Sequence, residues 1–288
     1  MITITSDVLQ AQINPFGAEL QSLTDAEGRE YMSDGDPAFW RGRAPLLFPI
    51  VGRLNDDMLR IDRRSYRMEK HGFARRSAFD VVHHDASRAL FQLSASAETR
   101  DQYPFDFLLN VDFRIDGAGL TMTATVHNNG QVPLPASFGF HPAFAWPLPD
   151  GGARDAHRIV FEHAEAASLA RVTPEGLIDP ALRPSPLAGN TLTLADSLFV
   201  DDALVWRDPV SRRLTYASPD GPALDIAFPD TAHLGIWTKP GARFVCVEPW
   251  AGQADPEGFT GDFRTKPAVF AVMPGGEARF RMIVSVRH

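Results

Sequence analysis

Residues 107–128 read FLLNVDFRIDGAGLTMTATVHN, and this stretch decides the fold class. Apolar side chains occupy every second position from Phe107 to Ile115, and again from Leu120 to Val126 after a turn that contains glycine. Because successive side chains of a strand point to opposite faces, this period of two predicts a β-hairpin with one buried face.

The same pattern recurs in both directions along the chain. Segments 58–68 and 212–228 read as further hairpins, and segment 278–286 alternates almost to the C-terminus. No stretch of a dozen residues has apolar positions at helical spacing. Strands at this frequency, separated by Gly and Pro turns, predict an all-β protein, built either as a sandwich or as a barrel.

Two Pro- and Gly-rich stretches interrupt the alternation, at 129–152 and 173–190. Strand patterns resume beyond both, so they are interpreted as loops over a large sheet and not as domain borders. Residues 1–288 are therefore predicted to form one domain.

Composition excludes several classes of protein. A chain of 288 residues that is 44% hydrophobic can bury a large core, and its net charge of −8 argues against a nucleic-acid binder. No apolar run approaches the roughly 18 residues of a membrane span, and the N-terminus lacks a signal-peptide pattern. The single cysteine, Cys246, excludes an intramolecular disulfide. We expect a cytoplasmic monomer or homodimer without membrane or nucleic-acid partners.

Glu248 is the first candidate for chemistry, in FVCVEPWAG at 244–252. The run from Phe244 to Val247 is apolar at every position, which predicts a strand covered on both faces. A carboxylate at the end of such a strand is either paired with an arginine or used as a general base, because burial raises its pKa toward neutrality.

His141 raises the same question in FGFHPAFAWPL at 138–148. It is either a core histidine bonded to a backbone carbonyl or a proton donor in a pocket. The aromatic side chains of its own segment are expected to form the pocket walls; these are Phe138, Phe140, Phe144 and Trp146.

Two further polar residues stand beside glycines. His71 precedes Gly72 in KHGFARR, and Arg53 follows Gly52 at the end of an apolar run. Glycine permits a left-handed turn or a close backbone approach, which suits a binding loop. Arg53 could bind hydroxyls or a phosphate with its planar guanidinium, or form a surface salt bridge.

The spacing of metal-ligating residues does not favour a metal site. No His-x-x-x-His or Cys-x-x-Cys pair lies near either candidate segment, and the adjacent His83 and His84 would point to opposite faces of a strand. Phosphate-binding glycine loops and a G-x-S-x-G elbow are absent as well. We therefore expect no metal site and no nucleotide-type phosphate-binding loop.

Taken in order, several segments resemble the aldose 1-epimerase (galactose mutarotase-like) family. They are NPFGAELQSLTDAEGREYM, FWRGRAPLLFPIVGRL, HGFAR, YPFDF, NNGQVPLPASFGFHPAFAWPL and VEPWAG, and they span nearly the whole chain. The motifs FGFHPAF and VEPWAG most resemble those of a branch of bacterial epimerase-like proteins whose sugar is poorly defined.

The resemblance implies a single large antiparallel β-sandwich, the galactose mutarotase-like supersandwich, with a sugar cleft on one sheet and no cofactor. It implies Glu248 as general base, His141 as general acid, and His71 and Arg53 as substrate-binding residues. An aspartate between acid and base is matched best by Asp202, although the neighbouring Asp201 leaves that assignment open. The tryptophans that could stack on a sugar are Trp146 and Trp250, with Trp40 favoured as a core residue.

The function implied is an isomerase that interconverts the α and β anomers of a hexose, by ring opening and closure with acid and base catalysis. One alternative is a hexose 6-phosphate 1-epimerase, because residues 41–76 contain ten Lys and Arg, including Arg75 and Arg76, against four acids. Another is a carbohydrate-binding protein of the same fold without turnover. A glycosidase is less favoured, since it needs two carboxylates.

Overall fold

The computed structural model describes residues 1–288, and its regular structure consists almost entirely of antiparallel strands. In chain order the strands are β1 Ile2–Thr5, β2 Leu9–Asn14, β3 Glu19–Asp25, β4 Leu46–Leu47, β5 Met58–Ile61, β6 Arg64–Arg67, β7 Asp80–His84, β8 Arg88–Ser94, β9 Phe107–Asp116, β10 Gly119–Asn128, β11 Leu134–Ala136, β12 Phe138–Phe140, β13 Ala143–Ala145, β14 Arg158–Phe161, β15 Thr191–Thr193, β16 Leu204–Arg207, β17 Arg213–Ala217, β18 Ala223–Ala227, β19 His233–Trp237, β20 Phe244–Ala251, β21 Phe270–Val272 and β22 Glu277–Arg287.

Helical structure is confined to short segments. The one α-helix, α1, spans Ala97–Arg100, and single turns of 3₁₀ helix lie at Asn55–Asp57, Ala74–Arg76, Arg154–Ala156, Asp196–Phe199 and Phe263–Thr265. No helix has the length and apolar character needed to span a bilayer.

Two sheets dominate the architecture. The larger has nine strands in the order β15-β14-β17-β18-β22-β10-β9-β8-β7. The smaller runs β16-β19-β20-β12-β4, and β13 also pairs with β20. The remaining strands form a three-stranded sheet, β1-β2-β3, and two hairpin-sized pairs, β5-β6 and β11-β21. The prediction of an all-β protein is confirmed.

The hairpin at 107–128 forms the centre of the larger sheet. Ile115 lies opposite Leu120, and Phe113 lies opposite Met122, so the alternating apolar side chains share one face. All of these side chains are buried. Period-two burial is expected of a sheet that packs on a core with one face only.

The two sheets pack face to face through aromatic side chains. The rings of Phe138 in the smaller sheet and Phe280 in the larger are stacked with centroids 5.3 Å apart. The Phe161–Trp206 pair joins the sheets near the other end, at 5.1 Å. One cluster of 64 buried residues runs from Ile4 to Val286 and forms the core of the β-sandwich. That residues 1–288 make up a single domain stays a prediction.

The interpretation of 129–152 as a loop was wrong in part, because it contains β11, β12 and β13. Each of these strands has three residues, and β11 and β12 are buried at every position. A strand that short, covered on both faces, shows no alternation for a sequence pattern to detect. Segment 173–190 contains no strand, as predicted.

Replacing a side chain on the buried face of the central hairpin should be costly. Phe113 is fully buried and packs edge-on against Phe91 at 5.7 Å. Phe113→Ala should lower the free energy of unfolding by about 3–5 kcal/mol, because it removes apolar contacts and leaves a cavity. The measurement is urea denaturation, in which the m value should be the same for the variant and the native protein. The matched control is Arg114→Ala on the exposed face, which should cost less than about 1 kcal/mol; equal losses would contradict the assigned faces.

Candidate active site

Strand β20 carries a carboxylate into the interior of the smaller sheet. Seven of its eight residues are buried, and β19, β12 and β13 pair with it. Glu248 is only 2% exposed, and its direct neighbour on β19 is Gly235, which has no side chain to cover it. The predicted burial of this strand on both faces is confirmed, and Glu248 lines a cavity.

Glu248 is paired with His141, which follows β12 directly. Oε2 of Glu248 lies 3.0 Å from Nε2 of His141, and both side chains are almost completely buried. Burial raises the pKa of Glu248 well above its usual value and lowers the pKa of His141 to about 3. Across such a short contact the two groups act as one unit, which is most stable with a single shared proton and no net charge.

His71 is held in place by the backbone on which Gly52 lies. The backbone N–H of Gly52 donates to Nδ1 of His71 at 3.1 Å, and the N–H of His71 donates to the carbonyl of Gly52 at 2.8 Å. Nδ1 is therefore unprotonated, and a neutral ring carries its proton on Nε2. Burial, and the nearby His141 and Lys70, lower the pKa of His71 well below its usual value.

Gly72 allows this arrangement because its backbone is left-handed and crowded. Its φ is +71°, and a Cβ atom there would lie 2.2 Å from the carbonyl oxygen of Phe48. His71 itself has a φ of +68°, a conformation that few residues with side chains adopt. The HG pair of the sequence motif is thus a strained turn that presents an imidazole.

The cavity at these residues has a volume of about 290 Å³. Five of the predicted site residues line it: His71, His141, Asp202, Glu248 and Trp250. Asp201 is exposed, whereas Asp202 turns into the cavity at a φ of +67° and adds to the raised pKa of Glu248. The structure therefore assigns Asp202, and not Asp201, to the site.

Trp250 forms one wall because two glycines leave room for its ring. A Cβ atom on Gly235 would lie 2.6 Å from the ring, and one on Gly139 would lie 2.5 Å from it. These residues are neighbours of Glu248 and Trp250 on the flanking strands. The indole consequently lies flat across three strands of the sheet.

Two predicted site residues do not line the cavity. Arg53 donates to both carboxylate oxygens of Asp57, at 2.7 and 2.8 Å, and to the carbonyl of Glu175. Because the turn after Arg53 brings Asp57 back to it, the guanidinium is used in a half-exposed salt bridge. Expecting it to bind a sugar hydroxyl was wrong for this conformation.

Trp146 belongs to the core. It is 1% exposed, its Nε1–H donates to the carbonyl of Arg154 at 2.7 Å, and the guanidinium of Arg154 lies 3.5 Å over its ring. The expected stacking of Trp146 on a sugar is therefore wrong. The other aromatic residues expected as pocket walls, Phe138, Phe140 and Phe144, are buried in the core as well.

The aromatic walls come from elsewhere in the chain. Trp40 and Trp237 both line the cavity, with ring centroids 5.0 Å and 5.9 Å from that of His141. Trp40 had been expected in the core, and Trp237 was not singled out. Trp237 lies opposite Cys246 on the neighbouring strand, and only the register of β19 with β20 reveals that position.

Two cations also line the cavity: Arg75, which the sequence offered as a phosphate partner, and Lys70, which it did not single out. Lys70 and Arg75 are both lining residues, and neither forms an ion pair. The Nε of Arg75 is buried without a hydrogen-bond partner. Arg76, in contrast, is paired with Glu69 outside the cavity. An unpaired guanidinium in a buried wall is available for a ligand.

A buried ion pair supports the floor of the cavity. Lys266 is fully buried, donates to the carbonyl of Gln253 and lies 3.8 Å from Asp255. Asp255 also accepts from the backbone N–H of Asn55 at 2.8 Å. Burial lowers the pKa of Lys266 to about 8. The network holds residues 253–255 against residues 52–55. These two segments contain Ala254 and Gly52, which line the cavity.

One group of potential metal ligands lies at the site. The donor atoms of His141, Cys246 and Glu248 are within 4.8 Å of one another, and all three side chains are buried. Spacing along the chain could not reveal this group, because His141 lies about a hundred residues before the other two. The argument from spacing against a metal site does not extend to it.

A larger depression of about 730 Å³ lies between the β5–β6 hairpin and residues 132–133. It contains none of the predicted site residues, and its charged lining consists of Arg64 and an ion pair between Asp62 and Arg264. The smaller cavity combines apolar walls with a coupled pair of titratable groups, which is the pattern of an active site.

Comparison with known proteins agrees with the fold and with the order of motifs. The sequence model of the family described as "Aldose 1-epimerase" matches residues 1–264. Protein LacX (plasmid) of Lactococcus lactis subsp. lactis is 31% identical over 284 residues, which are 95% of each chain.

Solved structures give the same result. A galactose mutarotase-like protein from Lactobacillus casei superposes with a TM-score of 0.92 at 32% identity, covering 100% of both chains. A galactose mutarotase related enzyme from Lactobacillus acidophilus has a TM-score of 0.89 at 28% identity, covering 99% of this chain and 97% of its own.

The stability of the fold should depend on pH through His71. Its pKa is 6.5 in the unfolded chain and well below that when buried, so below pH 6.5 only the unfolded chain binds the proton. Stability is therefore full above pH 6.5 and falls as the pH decreases, by about 1.4 kcal/mol per pH unit for one group.

His71→Asn should remove this contribution, because Asn tolerates a left-handed φ and its amide oxygen can accept from Gly52. The measurement is urea denaturation from pH 4 to pH 8. Stability of the variant should fall less steeply below pH 6.5 and run parallel to that of the native protein above it. Parallel curves at all pH values would refute the assignment.

Proposed function

The chain belongs to the aldose 1-epimerase family, and on that premise we propose that it interconverts the α and β anomers of an aldose. The observation that carries this proposal is the 3.0 Å contact between Glu248 and His141 in a cavity with aromatic walls. Ring opening needs one group that removes a proton from the anomeric hydroxyl and one that protonates the ring oxygen. A coupled carboxylate and imidazole supply both.

The reaction follows from this pair. Glu248 takes the proton of the hydroxyl on C1 while His141 gives a proton to the ring oxygen, and the bond between C1 and the ring oxygen breaks. The open aldehyde rotates about its C1–C2 bond. Closure on the other face of the carbonyl returns one proton to His141 and one from Glu248 to the new hydroxyl. No atom or electron remains to be supplied by a further reactant.

The single shared proton suits this cycle. Ring opening starts with the pair as carboxylate and imidazolium and leaves it as carboxylic acid and neutral imidazole. Because burial favours the form in which neither group is ionised, the opened state matches the preferred state of the pair in the dry cavity. Polar atoms of the bound sugar then stabilise the ion-pair form from which each turnover begins.

The other lining residues have roles in positioning. The Nε2–H of His71 donates to a sugar oxygen, since Nδ1 is occupied by Gly52. Asp202 accepts from a hydroxyl at the edge of the cavity. Trp40, Trp237 and Trp250 provide flat apolar surfaces for the C–H face of a pyranose.

Glu248→Gln and His141→Gln should each slow anomer interconversion by about 10²- to 10⁴-fold, the usual contribution of a positioned acid or base. NMR of freshly dissolved α-D-glucose and α-D-galactose measures the rate against the spontaneous reaction. Arg53→Gln is the matched control, because Arg53 lies outside the cavity, and it should keep the native rate within about threefold.

Two results would count against the proposal. Variants as active as the native protein would remove the pair from the reaction. Sugar binding without any acceleration would identify the protein as a carbohydrate-binding member of the fold.

A hexose 6-phosphate is the second candidate substrate, and Lys70 and Arg75 favour it. Two cations without ion pairs line the cavity, and one of them has a buried Nε without a partner. An arginine fork binds the oxygens of a phosphate in pairs. Arg76, which had been considered for the same role, is paired with Glu69 and does not line the cavity.

Arg75→Gln distinguishes the two substrates. A hydrogen bond to a charged group is worth roughly 1.5–3 kcal/mol, so KM for glucose 6-phosphate should rise about 10- to 100-fold. KM for glucose should change little, and Arg76→Gln serves as the matched control. A phosphosugar substrate would be ruled out if the variant affected both sugars equally.

A further inference from the structure

Behind the Glu248–His141 pair lies the only cysteine of the chain. Cys246 and Glu248 are two residues apart on β20, so their side chains lie on the same face of the sheet. The thiol, the imidazole and the carboxylate come within 4.8 Å of one another. Cys246 has no part in the proton transfers, and it is buried in a small apolar cluster against which Trp40 and Trp237 pack.

These three donors form the ligand set of a particular class of ion. Thiolate with imidazole and carboxylate suits Zn²⁺ and Co²⁺, whereas Mg²⁺ and Ca²⁺ prefer oxygen ligands alone. Bonds of about 2.0–2.3 Å in tetrahedral geometry place ligand atoms roughly 3.3–3.8 Å apart. The three donor atoms lie within 4.8 Å of one another. Small side-chain shifts therefore bring them to the distances of a tetrahedral site.

We propose that the cavity binds one zinc ion through Cys246, His141 and Glu248, with the fourth position open toward the sugar space. Three protein ligands and one open position are the arrangement of zinc sites that exchange a bound water. The ion occupies both groups that move protons, so it blocks turnover reversibly. This second statement rests on the proposed function, and the binding itself does not.

Charge balance favours the ion despite the cations nearby. Binding releases two protons to solvent, one from the thiol of Cys246 and one from the Glu248–His141 pair. The thiolate and the carboxylate then balance the two positive charges of the ion, so the three groups and the ion together carry no net charge, as the three groups do before binding. Lys70 and Arg75, which line the same cavity, therefore meet no added positive charge.

The surroundings of His141 indicate an ion that binds reversibly and inhibits, and not one that is permanently bound. A histidine that holds a structural or catalytic metal normally donates its second nitrogen to a carboxylate or carbonyl. Nδ1 of His141 is buried and has no such partner. The ring is consequently free to adjust to an ion and binds it without the support that makes such sites tight.

Cobalt tests the proposal directly, because a cobalt–thiolate bond absorbs in the near ultraviolet. Native protein titrated with Co²⁺ under reducing, anaerobic conditions should develop this band with one ion per chain, and Zn²⁺ should abolish it. Cys246→Ala should lack the band and bind Zn²⁺ at least about tenfold more weakly in calorimetry. The surface group Asp25, Glu27 and His288 has no thiol and cannot produce the band.

Glu248→Gln provides a second variant should Cys246→Ala fail to fold. It retains the thiol, so the band should persist while affinity falls. Absence of a band in native protein, or equal zinc affinity in native protein and Cys246→Ala, would overturn the proposal. The blocked turnover is tested separately: Zn²⁺ should inhibit anomer interconversion, and excess sugar should relieve the inhibition. If the protein has no such activity, the cobalt band still decides whether the ion binds.

Discussion

The contact between Glu248 and His141 is the interaction on which the rest of the site depends. Either side chain alone would place a poorly satisfied polar group inside an apolar sheet, which costs several kcal/mol if it is charged. Together, at 3.0 Å and with one proton, they carry no net charge. The condition that makes the pair tolerable in the core is also the one that enables it to exchange protons with a sugar.

The sheet around this pair is built to leave space beside it. Gly235 and Gly139 flank strand β20 where any other residue would collide with Trp250. The indole then lies flat and forms a wall of the cavity. Absence of side chains at two sheet positions therefore makes room for this wall beside the acid–base pair, and Gly72 permits the crowded left-handed turn of the loop that holds His71.

Several groups that line the cavity lack a partner within the protein. Nε of Arg75, Nδ1 of His141 and Nε1 of Trp250 are all buried and unbonded, and Lys70 forms no ion pair. Elsewhere most arginines are paired with carboxylates at the surface, as Arg53 is with Asp57. Unsatisfied groups cost stability, and those that line the cavity are available to complete their bonding with a ligand.

The sequence by itself determined the strands and the two residues with unusual surroundings. Alternation along 107–128 is a local consequence of one buried face, and a carboxylate or imidazole in an apolar run is visible without knowing its neighbours. The family resemblance placed both residues in one site. Local pattern failed at β11–β13, which are too short and too buried to alternate, and at Arg53, whose partner Asp57 returns through a turn.

Only the tertiary structure decided which groups meet. Trp237 reaches the cavity through the register of β19 on β20, Asp202 is selected over Asp201 by a left-handed turn, and Cys246 joins His141 across the sheet. Of the ten basic residues at 41–76, Lys70 and Arg75 line the cavity because of the position of their loop in the fold, which the sequence does not show. Burial can be inferred from the local pattern of apolar residues in the sequence. Contact between distant segments depends on strand pairing, which no single segment encodes.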